Sequence, residues 1–250
     1  MKLKNKVAII SGGARDIGRA ISLGLAREGA KVVFSYFGSS EKAQDTVSEI
    51  ENAGGECIAV KVDLTQAAEV EQLVEDAIQR FGNRIDIVVN NAGGIVGRKT
   101  LEEMDEAFFH YVMQLNVTST FLLTKAAAEK MGEGGAIINL ASQAGRDGGG
   151  PGASAYATAK GAVMTFTRAM AKELGPRGIR VNALCPGMIS TTFHDVFTKD
   201  SVRESVASGT PLRREGTADE VAGVVSFLAS EEASFLTGVC LDTNGGLLFS

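Results

Sequence analysis

Short apolar runs recur along the chain, and each is followed by a longer stretch in which apolar residues return at helical spacing. The runs are Val7–Ile10, Lys31–Phe34, Cys57–Val62, Ile85–Asn90, Ala136–Leu140, Ile179–Leu184 and Gly238–Leu241. Continuous rather than alternating apolar character is what strands buried on both faces require. The intervening periodicity predicts helices near 17–28, 41–53, 66–81, 103–131, 155–174 and 217–229. Strand and helix in alternation predict repeated βα units on a parallel sheet. Crossovers between parallel strands are right-handed, so this order implies an α/β, Rossmann-like doubly wound sheet of about seven strands with helices on both faces. Ligands of such sheets bind beyond the carboxyl ends of the strands, which directs attention to 11–18, 35–40, 63–64, 90–94, 141–156 and 185–192.

Composition narrows the classes. The 250 residues contain no internal repeat, low-complexity tract or linker, and a single domain over 1–250 is expected. A net charge of −5 without a basic block argues against nucleic acid. The basic start MKLKNK is followed by only Val7–Ile10 before Ser11-Gly12-Gly13, far short of a signal-peptide core, and no apolar stretch approaches the roughly 20 residues of a membrane span. A cytoplasmic protein is expected. Cys57, Cys185 and Cys240 are widely spaced and odd in number, which fits reduced thiols better than a disulfide framework or a zinc site. His110 and His194 lack ligand spacing, and no metal is expected.

The stretch SGGARDIGRA, residues 11–20, leaves the first run and enters the first helix. Glycines between a buried strand and a helix let phosphates approach backbone N–H groups, but the strict G-x-G-x-x-G spacing is absent. Asp16 puts a carboxylate where a phosphate would come. As a good helix N-cap, Asp16 is expected to close a helix starting at Ile17 and to turn toward that helix's own N–H groups, with Arg15 compensating its charge. Further along, Tyr156 and Lys160 lie four residues apart on a predicted helix, so both project from one face. A nearby ammonium favours the phenolate, and the spacing therefore predicts an acid/base pair with a lowered tyrosine pKa.

Asn90-Asn91-Ala92-Gly93, Tyr156-Ala157-Thr158-Ala159-Lys160 and Pro186-Gly187-Met188-Ile189-Ser190-Thr191 each leave a strand or open a helix in the expected order. With Ser11-Gly12 through Gly18 they resemble the short-chain dehydrogenase/reductase family, in its single-domain branch, from about Asn5 to Gly246. The resemblance implies an oxidoreductase with a nicotinamide dinucleotide in which Gly12, Ile17 and Gly18 form the phosphate turn and Asp16 replaces a customary glycine. Tyr36 stands where NAD-selecting members carry a carboxylate. Arg15 stands where NADP-using members carry a base, and Ser39 and Ser40 are placed to donate to a 2′-phosphate. NADPH/NADP+ is the expected cofactor, with NADH as the alternative. The resemblance further assigns Asp63 and Leu64 to the adenine, Asn90 to joining sheet and cofactor pocket, Ala92 and Gly93 to the same turn, Pro186 and Gly187 to a rigid bend, and Ile189 and Thr191 to the nicotinamide. Ser142 would polarise the substrate oxygen, Tyr156 would donate the proton, Lys160 would bind the nicotinamide ribose, and Asn116 would hold a relay water. Ser142 and Tyr156 are fourteen residues apart where members commonly have thirteen, and the glycine-rich 145–152 stretch can absorb the difference.

Residues 188–212 resemble the family's substrate lid. The closest likeness is to 3-oxoacyl-[acyl-carrier-protein] reductases and to sugar dehydrogenases of the same branch. A carrier partner calls for a basic patch, for which Arg146, Lys199, Arg203, Arg213 and Arg214 are candidates. The alternative, a keto-sugar or deoxy-keto-uronate reductase, would use Arg146 or His194 for a carboxylate. A non-catalytic dinucleotide sensor is a remote third reading. Ala126-Ala127-Ala128, Ala162, Phe166 and Ala169-Met170 leave surplus apolar surface on two helices, and the family implies a homotetramer.

Overall fold

Seven strands form, each on one of the apolar runs. In a computed structural model describing Met1–Ser250 they are Val7–Ile10 (β1), Lys31–Tyr36 (β2), Cys57–Lys61 (β3), Ile85–Asn90 (β4), Met131–Leu140 (β5), Arg180–Pro186 (β6) and Cys240–Thr243 (β7). All pairings are parallel, in the order β3-β2-β1-β4-β5-β6-β7. Strand order therefore reverses between β1 and β4, the place where such a sheet opens a crevice.

Side chains of β1 alternate strictly between two cores. Ala8 and Ile10 pack under Asp16–Arg27 (α1), Ser40–Asn52 (α2) and Ala218–Ala229 (α10). Val7 and Ile9 face the opposite layer, built from Ala67–Phe81 (α3), Ser119–Ala128 (α5) and Ser154–Leu174 (α7). Burial on both faces explains why the strands read as unbroken apolar runs. A chain of amides and hydroxyls crosses the second layer: Asn90 Nδ2 donates to Thr124 Oγ1 at 2.9 Å and to Asn139 Oδ1 at 2.8 Å, and Asn139 Nδ2 donates to Thr167 Oγ1 at 2.9 Å.

Four departures from the expected elements matter for the site. The helix expected over 103–131 is Glu106–Met113 (α4), a π turn over Gln114–Thr118, and α5, after which β5 already starts at Met131. Ala144–Asp147 (α6) forms one turn inside the stretch that absorbs the extra residue before Tyr156. Thr192–Phe197 (α8) and Asp200–Gly209 (α9) are helices within the lid segment, where no helix was expected. Ala127 and Ala128 are core residues rather than surplus surface. No helix is long and apolar enough to cross a membrane.

Candidate active site

A cleft of about 1120 Å³ opens at the strand-order reversal, along the carboxyl ends of the sheet. Its floor is the turn after β1. Gly12 has φ +69°, a left-handed conformation that favours glycine, and its N–H donates to Ser35 Oγ at 3.1 Å. A Cβ on Gly18 would fall 2.0 Å from the Gly12 carbonyl oxygen, so the helix can start this close to the turn only with glycine there. Asn91 locks the arrangement, its Nδ2 donating to the carbonyls of Ser11 at 3.0 Å and Gly12 at 3.1 Å.

The start of α1 is open toward the cleft. Arg15 occupies the N-cap position and makes no side-chain cap, and the first backbone N–H with an acceptor in the preceding turn is that of Arg19, bonded to Arg15 O. The free N–H groups of the first turn and the positive end of the helix dipole suit a pyrophosphate. These residues thus fit a dinucleotide.

Asp16 departs from expectation. It does not cap the helix and does not point into the turn. Its φ is +51°, and its carboxylate reaches across the cleft mouth to accept from the Thr192 backbone N–H at 3.0 Å and from Thr192 Oγ1 at 2.6 Å. Arg15 follows it, with one guanidinium nitrogen 3.0 Å from Thr192 Oγ1 and 3.4 Å from Asp16 Oδ2.

Most of the residues expected at the site share this one cleft. Gly12, Arg15, Asp16, Ile17 and Gly18 line its floor, Tyr36 and Ser39 one end, and Ala92 and Gly93 the exit of β4. Ser142, Tyr156 and Lys160 form the inner wall, with Pro186, Gly187, Ile189 and Thr191 beyond β6. Five do not line it. Ser40 is the exposed first residue of α2. Asp63 folds its carboxylate back onto the backbone N–H and hydroxyl of Thr65, at 2.9 and 2.7 Å, as an ordinary helix-start aspartate does. Leu64 packs in the α3 core. Asn90 is buried within the polar chain of the sheet, and it is its neighbour Asn91 that meets the turn.

Asn116 sits behind the cleft floor, fully buried. The π turn aims its amide at the backbone of one residue: Oδ1 accepts from Gly94 N at 3.0 Å, and Nδ2 donates to Gly94 O at 2.9 Å as well as to Val112 O at 2.9 Å within its own helix. A Cβ on Gly93 would lie 2.5 Å from Asn116 Oδ1 and 3.2 Å from Lys160 Nζ, so glycine here lets the floor pass between the two groups. Sequence reading missed Asn91, Thr192, Phe37, Lys42 and Arg98, all close to the cleft. Only Asn91 carried a signal, as the second residue of NNAG.

Lys160 is buried and donates to Leu140 O at 2.7 Å. Burial pulls its pKa down to about 8. Tyr156 lies with its ring centroid 5.7 Å from Lys160 Nζ. Its pKa is raised, not lowered as the spacing suggested: burial dominates, and the neighbouring Ser142 hydroxyl pulls the other way. A neutral phenol is a proton donor, and Ser142 is the hydroxyl beside it.

Beyond Tyr156 the wall is aromatic. Phe193 lies 6.1 Å from the Tyr156 ring, 5.4 Å from Phe197 and 5.0 Å from His194. His194 Nδ1 is 2.9 Å from Thr198 Oγ1, and burial holds its pKa below the ordinary 6.5. The expected basic patch is largely consumed by internal pairs. Arg146 Nε donates to Asp242 Oδ1 at 2.7 Å, Arg203 pairs with Glu215 at 2.7 Å and with Asp195, and Arg214 pairs with Glu220. Arg213 bonds the Ser208 carbonyl, and of the five candidates only Lys199 makes no ion pair or side-chain hydrogen bond.

The family model described as enoyl-(acyl carrier protein) reductase matches residues 12–248. Among curated relatives, a 3-oxoacyl-[acyl-carrier-protein] reductase of Synechocystis sp. is 41% identical over 249 residues, covering 98% of each chain. A short-chain dehydrogenase/reductase from Serratia marcescens superposes with a TM-score of 0.93 at 36% identity, covering 99% of each chain. A blue fluorescent protein from a metagenomic library, solved in complex with NADPH, gives 0.93 at 34% identity over 100% of each chain. Glycine turn, half-buried Tyr156 beside buried Lys160, and full-length similarity agree, and the chain belongs to the short-chain dehydrogenase/reductase family of oxidoreductases.

Proposed function

We propose that this protein is an NADPH-dependent reductase of 3-oxoacyl thioesters, converting the ketone to the 3-hydroxy product. The observation that carries the reading is the aromatic wall of Phe193 and Phe197 directly beyond Tyr156, which offers an acyl chain apolar surface. Arg146 and His194, the groups a uronate would need, are respectively paired to Asp242 and held neutral by burial. Both facts favour the acyl substrate over the keto-sugar alternative.

Bound NADPH would supply the hydride to the carbonyl carbon. The chain's own groups do the rest. The first turn of α1 would hold the pyrophosphate, Lys160 the ribose, and Ile189 and Thr191 the nicotinamide end. Ser142 donates a hydrogen bond to the substrate oxygen, stabilising the charge that develops there, and Tyr156 passes its phenolic proton to the same oxygen. Asn116, fixed on Gly94, carries the proton path toward Lys160. A reduced, cytoplasmic setting accords with three free cysteines. A carrier-bound form of the substrate is supported by the Synechocystis relative's name, not by the five candidate cations.

The test is turnover by the purified protein on 3-oxoacyl thioesters carried on coenzyme A, N-acetylcysteamine and acyl carrier protein, set against keto sugars and deoxy-keto uronates. NADPH absorbance should fall with the thioesters only, and consumption confined to the sugar panel would reverse the assignment. Light scattering on the same preparation should read a tetramer, for which the half-exposed Phe121, packed edge-on to Phe166 at 6.5 Å, supplies apolar surface.

Cofactor choice rests on Arg15. To reach a 2′-phosphate its guanidinium, 64% exposed, would exchange Thr192 for a stronger charge-assisted partner. Arg15→Ala is expected to weaken NADPH binding by roughly 10- to 100-fold, the range of a charged hydrogen-bonded pair, and NADH by less than about twofold. Fluorescence titration with both nucleotides reads this, and equal losses would mean that Arg15 does not touch the phosphate.

A further inference from the structure

Asp16 occupies a position at which glycine would serve the backbone better. Its φ of +51° lies in the left-handed region, which aspartate tolerates and glycine adopts freely. Apart from the Arg15 guanidinium at 3.4 Å, the carboxylate finds its partners on the far side of the cleft. Thr192, its partner, is 176 residues away in the chain and is the first residue of α8.

That helix lacks a cap of its own. Thr191, at its N-cap position, makes no side-chain bond to the helix, and its hydroxyl donates instead to Ile189 O at 3.1 Å. The first N–H of α8 is satisfied by Asp16, so the phosphate turn caps a helix of the lid. Thr192 Oγ1 adds a second bond to the same carboxylate at 2.6 Å. The next residue is Phe193, whose ring stands 6.1 Å from Tyr156. Asp16 is thus two steps from the proton donor although it touches neither donor nor substrate.

We infer that Asp16 is a positioning residue: it pins the start of α8 to the phosphate turn, and so sets Phe193 against Tyr156 at a place governed by the seat of the cofactor. Arg15 extends the device. It shares Thr192 Oγ1 with Asp16, and when it turns to a 2′-phosphate, Asp16 keeps both of its bonds. The lid remains anchored while the cation changes partner. The inference rests on the reading of the cleft as joint cofactor and substrate site, but its first readout needs neither ligand.

Asp16→Gly, Asp16→Asn, Thr192→Ala and the Asp16→Gly/Thr192→Ala double variant test it. Loss of a charge-assisted hydrogen bond to α8 corresponds to roughly a tenfold change. Asp16→Gly should therefore speed amide hydrogen exchange over residues 192–209 by about that factor in the ligand-free protein and raise KM for the thioester similarly. Its Kd for NADPH should stay within about threefold, since glycine suits the turn. Asparagine, which still offers an oxygen to the Thr192 N–H, should recover part of the protection. The double variant should be at most about twofold worse than Asp16→Gly, because the hydroxyl that Thr192→Ala removes has already lost Asp16 and keeps only its exposed bond from Arg15. Unchanged exchange in Asp16→Gly, an NADPH loss as large as the KM rise, or multiplying effects in the double variant would each overturn the inference. Altered exchange without turnover on any thioester would instead sink only the substrate assignment.

Discussion

Tyr156→Phe is expected to lower kcat by about a thousandfold, within the range that a positioned general acid contributes, while NADPH binds with unchanged affinity. The substitution removes one oxygen and leaves the ring between Phe193 and Lys160 as it was. Burial keeps the phenol protonated, so at neutral pH the wild-type side chain carries the proton the product oxygen needs. Ser142 stays in place and still polarises the carbonyl, which is why a residue of activity should survive. Single-turnover kinetics with preloaded NADPH measure the chemical step directly. A kcat within threefold of wild type would require another proton donor.

Lys160→Met is expected to cost activity and add stability. Turnover should fall by roughly two to three orders of magnitude, since the ammonium that orients the cofactor and supports the proton path is gone. The folded protein, however, loses a buried charge. A drop from the ordinary 10.5 to about 8 corresponds to a penalty of about 3 kcal/mol. The bond to Leu140 O is forfeited and its carbonyl left without that donor, which offsets about 2 kcal/mol of the relief. A net gain of about 1 kcal/mol at pH 7, or about 2–4 °C in Tm, follows.

The pH dependence carries the sign. Because the folded pKa lies below the unfolded one, the penalty is present in full below about 8, is relieved as pH rises toward 10.5, and is absent above that. Wild-type stability should thus climb relative to Lys160→Met across this window. Thermal melts of both proteins without cofactor, at about pH 7 and about pH 10, read the difference. A constant gap between them at the two pH values would mean that Lys160 carries no desolvated charge in the folded state.

Much of the fold was legible because parallel strands leave a continuous apolar signature, which marked all seven strands, although β7 starts two residues later than expected and β5, through the glycine-rich Met131–Gly135, five residues earlier. The turn after β1, Tyr156 and Lys160 were legible because their spacing is local. What escaped depends on distance in the chain. The partner of Asp16 lies in α8, and Arg146 is neutralised by Asp242 from β7, 96 positions on. No local pattern encodes either contact. Helices α8 and α9 escaped because TFHDVF and DSVRESVASG are too short for periodicity to declare a helix: Phe193, Val196 and Phe197 do stand at i, i+3 and i+4, but within six residues and with none of them buried. Tyr156 was misjudged in a different way, since spacing brings the ammonium near but says nothing of how dry the wall around it is.

The π turn between α4 and α5 holds one residue more than the α-helical turn it replaces. Shortening 114–118 by a single residue would yield an unbroken helix from Glu106 to Ala128, a better helix by any local measure, whose asparagine amide no longer faces Gly94. The length of the segment, more than the identity of its exposed side chains, is therefore what aims Asn116 at Gly94. In this mostly exposed helix only Val112 and Asn116 are buried before α5, so a one-residue deletion would cost the Asn116–Gly94 bonds far more than it would cost the folding of the chain.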